Sequence, residues 1–152
     1  MPNIQSAVGG GIVSPSGCLT ITAIQQNIPD DTPTLVNFDS IVTGFTDGIE
    51  DVDAKKITPA VAGLYIVTAA ITYNTKVDAK PFELRLKKSG AEVKKDSKIS
   101  ADLNYLTCSI SLPLWLTAAN YLQVYAWQWT GLSTIDIIAG LQYSHFAVQR
   151  VR

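Results

Sequence analysis

A chain of 152 residues is long enough for one domain with a sizeable core and too short for two comfortable ones. At 47% hydrophobic and 16% charged it is globular but charge-poor, against the roughly 25% charged of ordinary domains. Its net charge of −1 excludes a global field that would draw it to nucleic acid or to a membrane.

Residues 1–17 carry Gly9, Gly10, Gly11, Pro15, Gly17 and no charge, which reads as a flexible N-terminal arm ahead of a domain over residues 18–152. Ile4, Val8, Ile12 and Val13 are the apolar residues with which such an arm would dock. The segment lacks the basic start and continuous apolar run of a signal peptide. No stretch of the chain reaches the roughly 18 apolar residues of a membrane span. The expectation is a soluble protein made in the cytoplasm.

"CLTITAIQQNI" alternates Leu19, Ile21 and Ala23 with Thr20, Thr22 and Ile24. "PDDTP" is turn chemistry, "TLVNFDSIV" is again β-rich, and "TGFTDGIEDVDAKK" is a long acidic-then-basic loop. "GLYIVTAAITYN" (63–74) predicts a strand apolar on both faces. "PFELRLKK" (81–88) predicts an amphipathic one, with Phe82, Leu84 and Leu86 inward and Glu83, Arg85 and Lys87 outward. Ser89-Gly90 is a natural hairpin turn leading into "AEVKKDSKIS". Two further strands are predicted in "LNYLTCSISLPLWL" (103–116) and "YLQVYAWQW" (121–129), joined by "TAAN", and "IDIIAGLQYSHFAVQRV" closes the chain.

No window of ten or more residues shows helical periodicity, so these strands imply a β-sandwich or barrel. Charges crowd into residues 30–102, and none lies before Asp30 or between Leu103 and Ile135. Only the strand at 81–88 has a plainly charged outer face. The strands at 63–74, 103–116, 121–129 and 141–151 are uncharged or nearly so on both faces. The expectation is one sheet facing water and one covered twice, its second cover being another copy of the chain.

The order of motifs resembles the globular head of complement component 1q and its tumour-necrosis-factor relatives. The positions that carry it are Phe38 and Asp39, Gly63 and Tyr65, Ser89-Gly90, Leu116 to Asn120, and Gly140-Leu141. An Ala119-Asn120 turn replaces the family's Gly-Asp, and the collagen-like stalk of complement relatives is absent. The resemblance implies a ten-stranded jelly-roll β-sandwich that assembles as a tight homotrimer around an aromatic-rich inner sheet. Tyr65, Tyr105, Tyr121, Tyr125, Trp127, Tyr143 and Phe146 are the candidates for that trimer interface. The competing reading is that these aromatics fill the sandwich core.

Chemistry is sparse. His145 is the single histidine, so no histidine-based metal cluster or catalytic pair is available and it reads as a packed or rim residue, since nucleophile, base and orienter must converge; no phosphate-binding Gly-rich loop is present. The expectation is no enzyme and no cofactor. Asp47, Glu50, Asp51 and Asp53 offer the oxygen density that a hard cation such as calcium takes, but a solvated acidic loop beside Lys55 and Lys56 is the preferred reading. Arg85, Lys87, Lys88, Lys94, Lys95 and Lys98 surround one hairpin. Interleaved Glu83, Glu92 and Asp96, with no aromatic among the lysines, favour a protected sheet edge over a nucleic-acid site. Cys18 and Cys108 read as two reduced, partly buried thiols, with one disulfide as the alternative.

The functional expectation is a structural virion protein of a bacteriophage or other virus. It would be a trimeric capsid decoration (cement) protein on the outer shell, binding the major capsid protein and neighbouring decoration trimers through its arm, with no nucleic acid or membrane partner. The alternative is a trimeric receptor- or glycan-recognition head, such as a tail or fibre tip or a bacterial complement-like lectin.

Overall fold

The computed structural model describes residues 16–23, 25–42, 49–101 and 104–151. The docking residues assigned to the arm, Ile4, Val8, Ile12 and Val13, lie outside the described residues, as does Asp47. Along the described chain there is no helix, and the strands are Ser16–Thr20 (β1), Gln25–Pro29 (β2), Thr34–Leu35 (β3), Ser40–Ile41 (β4), Glu50–Asp51 (β5), Lys56–Ile57 (β6), Gly63–Asn74 (β7), Pro81–Lys88 (β8), Ala91–Ile99 (β9), Tyr105–Leu116 (β10), Leu122–Gln128 (β11), Thr134–Ile137 (β12) and His145–Arg150 (β13).

They form two sheets. One runs β2-β12-β7-β13-β1-β4, with β10 on the other edge of β7; the second runs β5-β6-β11-β8-β9, with β3 beside β11. Every pair of named strands is antiparallel. The chain changes sheet between β2 and β3, β3 and β4, β4 and β5, β6 and β7, β7 and β8, β9 and β10, β10 and β11, and β11 and β12, which is jelly-roll connectivity.

Strand periodicity decides what lies between the sheets. From β7, Tyr65, Val67, Ala69, Ile71 and Tyr73 point inward, joined by Leu19, Cys108, Ile110, Leu116, Phe146 and Val148 of the same sheet. Facing them are Phe82, Leu84 and Leu86 of β8, and Leu122, Val124 and Ala126 of β11. The inward alternation expected of β8 is therefore observed. Ser89 and Gly90 carry φ of 49° and 88°, the paired positive values of a type I′ hairpin whose twist matches its strands. At the next turn Asn120 Oδ1 accepts the backbone N–H of Thr117 at 2.9 Å, and the Asn120 N–H returns to the Thr117 carbonyl at 2.9 Å.

Three sequence expectations are corrected here. The strand expected at 141–151 is only His145–Arg150 (β13), and a separate strand, β12, precedes it. They are separated by a turn in which Gly140, at φ 106°, donates to the Ile21 carbonyl at 2.7 Å. The first strand already begins at Ser16, inside the segment read as arm, because Ser16 and Gly17 pair with Gln149 and Val148. The stripe at 121–129 belongs to the charged sheet, not the uncharged one, because β11 pairs with β8 from Leu122↔Lys88 to Gln128↔Phe82.

Cys18 and Cys108 are free and buried. Two strands, β13 and β7, separate β1 from β10. At about 4.8 Å per strand step the two residues stand beyond the reach of a disulfide, whose Cα atoms lie within about 7 Å.

Candidate functional site

The two outer faces of the sandwich differ in what they offer. On the first sheet, the register places Tyr105, Thr107, Ser109, Ser111, Pro113 and Trp115 of β10 outward. Beside them are Leu64, Ile66, Thr68, Ala70, Thr72 and Asn74 of β7, and His145, Ala147 and Gln149 of β13. Ser16, Cys18 and Thr20 of β1 share this outward register, but Cys18 and Thr20 are already buried within the chain. None of these is Asp, Glu, Lys or Arg. The middle is a row of small side chains, Ser111–Thr68–Ala147–Cys18, read straight across four strands. A shallow depression lies beside it, lined by Ile66, Thr68, Ala147, Val148 and Gln149. Large apolar side chains stand at both ends: Trp115, 61% exposed, with Ile66 and Pro113 at one, and Tyr105, 64% exposed, with Tyr143 of the adjoining turn at the other.

The second sheet is different. β11 turns Tyr121, Gln123, Tyr125, Trp127 and Trp129 outward, beside Glu83, Arg85 and Lys87 of β8. Lys87 Nζ sits 4.1 Å from the centre of the Tyr125 ring, the Arg85 guanidinium 5.4 Å from that of Trp127, and Lys56 Nζ 5.8 Å from that of Tyr121. Cations over aromatic faces gain from the ring quadrupole while their stems cover apolar surface. Tyr121, Tyr125 and Trp127 of the uncharged stripe are thus covered by the chain's own lysines and arginine. Between them Glu83, 7% exposed, receives Arg85 Nε at 2.8 Å, Lys95 Nζ at 3.1 Å and Ser97 Oγ at 3.3 Å. Burial works against its charge, but the hydrogen bonds from Lys95 and Arg85 outweigh it and hold the carboxyl below its ordinary pKa.

The residues expected at an interface therefore scatter. Tyr65 and Phe146 are fully buried inside one chain and have no surface to give a partner. The Tyr65 hydroxyl donates to the Val61 carbonyl at 2.7 Å, and the Phe146 ring packs against Phe38 with centroids 5.8 Å apart. For these two the core reading is the right one. Tyr121, Tyr125 and Trp127 lie on the opposite sheet. Only Tyr105 and Tyr143 flank the uncharged face. Sequence reasoning did not single out Trp115 or the Ser111–Ala147 row, because no local signal tells which face of a doubly apolar strand is the outer one.

The lysine-rich hairpin is an edge. β9 ends the second sheet, and its side chains also close the edge of β10. Lys98 Nζ donates to the Thr107 carbonyl at 2.7 Å, Asp96 Oδ2 accepts the Ser109 N–H at 2.8 Å, and Lys88 Nζ of β8 reaches the Trp115 carbonyl at 2.9 Å. Charged side chains on edge backbone groups are what keeps foreign strands off. In the acidic loop, Glu50 Oε1 takes the Cys18 N–H at 2.9 Å, and Asp51 Oδ1 takes the Ala54 N–H at 2.8 Å with Oδ2 3.7 Å from Lys56. Among the described residues no three acidic, Cys or His side chains gather as a metal site. His145 Nδ1 lies 3.2 Å from the Leu141 carbonyl, and among the described residues no nucleophile or carboxylate is bonded to the ring.

No family model and no curated protein matches the chain by sequence. Solved structures match it by fold. The Eiger TNF of S. frugiperda superposes with a TM-score of 0.73 at 12% identity, covering 91% of this chain and 93% of that one. Murine APRIL gives 0.68 at 9% identity, with 91% and 99% covered, and the globular domain of zebrafish complement 1qA gives 0.63 at 14% identity, with 91% and 98% covered. The chain has the jelly-roll sandwich of tumour-necrosis-factor-like and complement-head proteins.

Proposed function

We propose that the chain is a non-enzymatic structural protein that assembles as a homotrimer through the uncharged face of its first sheet and decorates the outside of a viral shell. The single observation that carries the assembly is that face: it spans β10, β7 and β13 without one Asp, Glu, Lys or Arg side chain, and ends in exposed Trp115 and Tyr105. A surface of small side chains rimmed by large aromatics lets a copy approach closely and bury its anchors. The fold shared with tumour-necrosis-factor-like and complement-head structures supports threefold closure. The second sheet, with its capped rings and lysine edge, then faces away from the axis.

Light scattering after size-exclusion chromatography tests the assembly, and a mass near three chains is expected. Counting copies in purified particles tests the decoration role, for which many copies per shell are expected. Removal of residues 1–15, which leaves β1 whole, is expected to spare the trimer and abolish shell binding. A second reading, a recognition head present in few copies, is favoured by the bare indole of Trp129 on the second sheet.

A further inference from the structure

The cation ladder of the second sheet has a break. Lys87 stands opposite Gln123 but caps Tyr125, and Arg85 stands opposite Tyr125 but caps Trp127, so each cation leans two residues along β11. By that offset the cap of Trp129 falls to the residue opposite Trp127, which is Glu83. A carboxylate cannot cap a ring face, and this one is already held by Arg85 and Lys95. Trp129 is left bare and 60% exposed.

Beside it lies a shallow trough lined by Ala79, Lys80, Pro81 and Gly131. Its walls are fixed from behind. Ser100, itself buried, accepts the Ala79 N–H through its carbonyl at 2.9 Å and the Lys80 N–H through Oγ at 3.1 Å, and its hydroxyl donates to the Val77 carbonyl at 2.9 Å. Ala79 is held at φ 54°, a left-handed backbone that a non-glycine residue adopts only under constraint. On the other side Asp30 Oδ1 accepts the N–H groups of Thr130 at 2.8 Å and Gly131 at 3.0 Å. The Lys80 ammonium makes no ion pair or side-chain hydrogen bond among the described residues.

We propose that Trp129 and Lys80 form a binding site for an acidic saccharide, a pyranose bearing a carboxylate. The sugar's C–H face stacks on the indole and its carboxylate meets the Lys80 ammonium. A trough lined by one flat apolar ring, Trp129, and one cation, Lys80, matches one charged sugar. A single-stranded nucleic acid also stacks on aromatics, but it needs a basic groove along its phosphates. Here the trough has one cation in its lining, Lys80, which can meet a single carboxylate but not a run of phosphates; the nearby Asp30 and Glu83 are already engaged, by the Thr130 and Gly131 N–H groups and by Arg85 and Lys95.

The test is titration of the full chain, followed by tryptophan fluorescence and calorimetry. The probes are a glucuronic-acid-containing oligosaccharide, a sialyl-oligosaccharide, a neutral glucose oligosaccharide of the same length and an oligothymidylate. The expected result is saturable binding of at least one acidic sugar, stronger than that of the neutral one. Trp129→Ala is expected to weaken it by about tenfold or more. Lys80→Gln is expected to remove the preference for the acidic sugar, by about fivefold, as a surface ion pair allows. Melting temperature and solution mass, read on the same samples, are expected to stay unchanged in both variants. The proposal is overturned by equal binding of acidic and neutral sugars, by binding that survives Trp129→Ala, by preference for the oligothymidylate, or by no binding of either acidic sugar. A failed trimer with intact sugar binding would overturn the assembly reading alone.

Discussion

The hydroxyl of Tyr73 lies inside the backbone ladder of the opposite sheet, accepting the N–H of Trp127 at 3.2 Å and donating to the carbonyl of Glu83. Glu83 and Trp127 are register partners on β8 and β11, so a side chain of β7 completes their pairing and ties the two sheets together. The ring is fully buried against Phe82, centroids 4.9 Å apart, and burial above all drives the phenol's pKa well above its usual value. Tyr73→Phe keeps the ring and leaves a buried donor and acceptor unmatched. The expected loss is about 1–3 kcal/mol in urea unfolding at unchanged slope. An unchanged midpoint would mean the ladder closes without the hydroxyl.

How much of this was legible in the sequence depended on charge. In β8 the alternation of Phe82, Leu84 and Leu86 with Glu83, Arg85 and Lys87 fixes both faces, and the structure agrees. In β7 both faces are apolar or small, so nothing local said that Tyr65 points inward and Thr68 outward. In β11 the two faces were readable but the sheet was not, because pairing with β8 is a contact between segments far apart in the chain. The capping of Tyr125 by Lys87 follows from that register and has no signature within either strand. The bare state of Trp129 was equally invisible, since it follows from what stands at position 83.

Glu83 sets an acid limit on stability. Its carboxyl is held below the ordinary range although burial opposes its charge, because Lys95 and Arg85 hydrogen-bond the ionised form. A depressed folded pKa gives a contribution present above the unfolded value of about 4.3 and lost as pH falls through the folded one. Stability is therefore expected to drop on acidification below about pH 4.3. Glu83→Gln is expected to cost about 1–3 kcal/mol at neutral pH, since it leaves Arg85 partly buried without its counter-charge. It is also expected to flatten the acid limb. Curves for the two proteins that run parallel from neutral to acid pH would show that Glu83 does not titrate with unfolding.

The thiols set the opposite limit. Burial, with the charge of Glu50 adding to it, pushes Cys18 up to about 11. Burial foremost, with the Asp96 charge adding, pushes Cys108 up to about 12. Both groups stay protonated in the folded chain while unfolded thiols ionise near pH 8.5, about their usual value. The sign follows: this contribution is complete below that pH and is lost as pH rises through the folded values. Stability is expected to fall with pH from about 8.5 upward, and less so in a Cys18→Ala variant. Alkylation of the native protein at mildly alkaline pH is expected to be slow and to match the unfolding rate. Fast labelling of Cys18 would show that β1 opens locally.

The uncharged face makes the sharpest demand on the assembly. Ser111 sits at the end of the Ser111–Thr68–Ala147–Cys18 row, exposed to water in the single chain. In one chain, Ser111→Glu is a surface change, with an expected effect on folding within about 0.5 kcal/mol. In a trimer closed over this face it places three carboxylates in a desolvated interface, where like charges and lost hydration both oppose association. The mass by light scattering is therefore expected to fall from three chains to one, with the melting curve still cooperative. Lys94→Glu, on the exposed edge strand β9, makes a larger change in charge and is expected to leave the mass at three chains. If Ser111→Glu remained trimeric, the first sheet would not be the assembly surface. If Lys94→Glu dissociated the protein instead, the lysine edge would be the contact between copies.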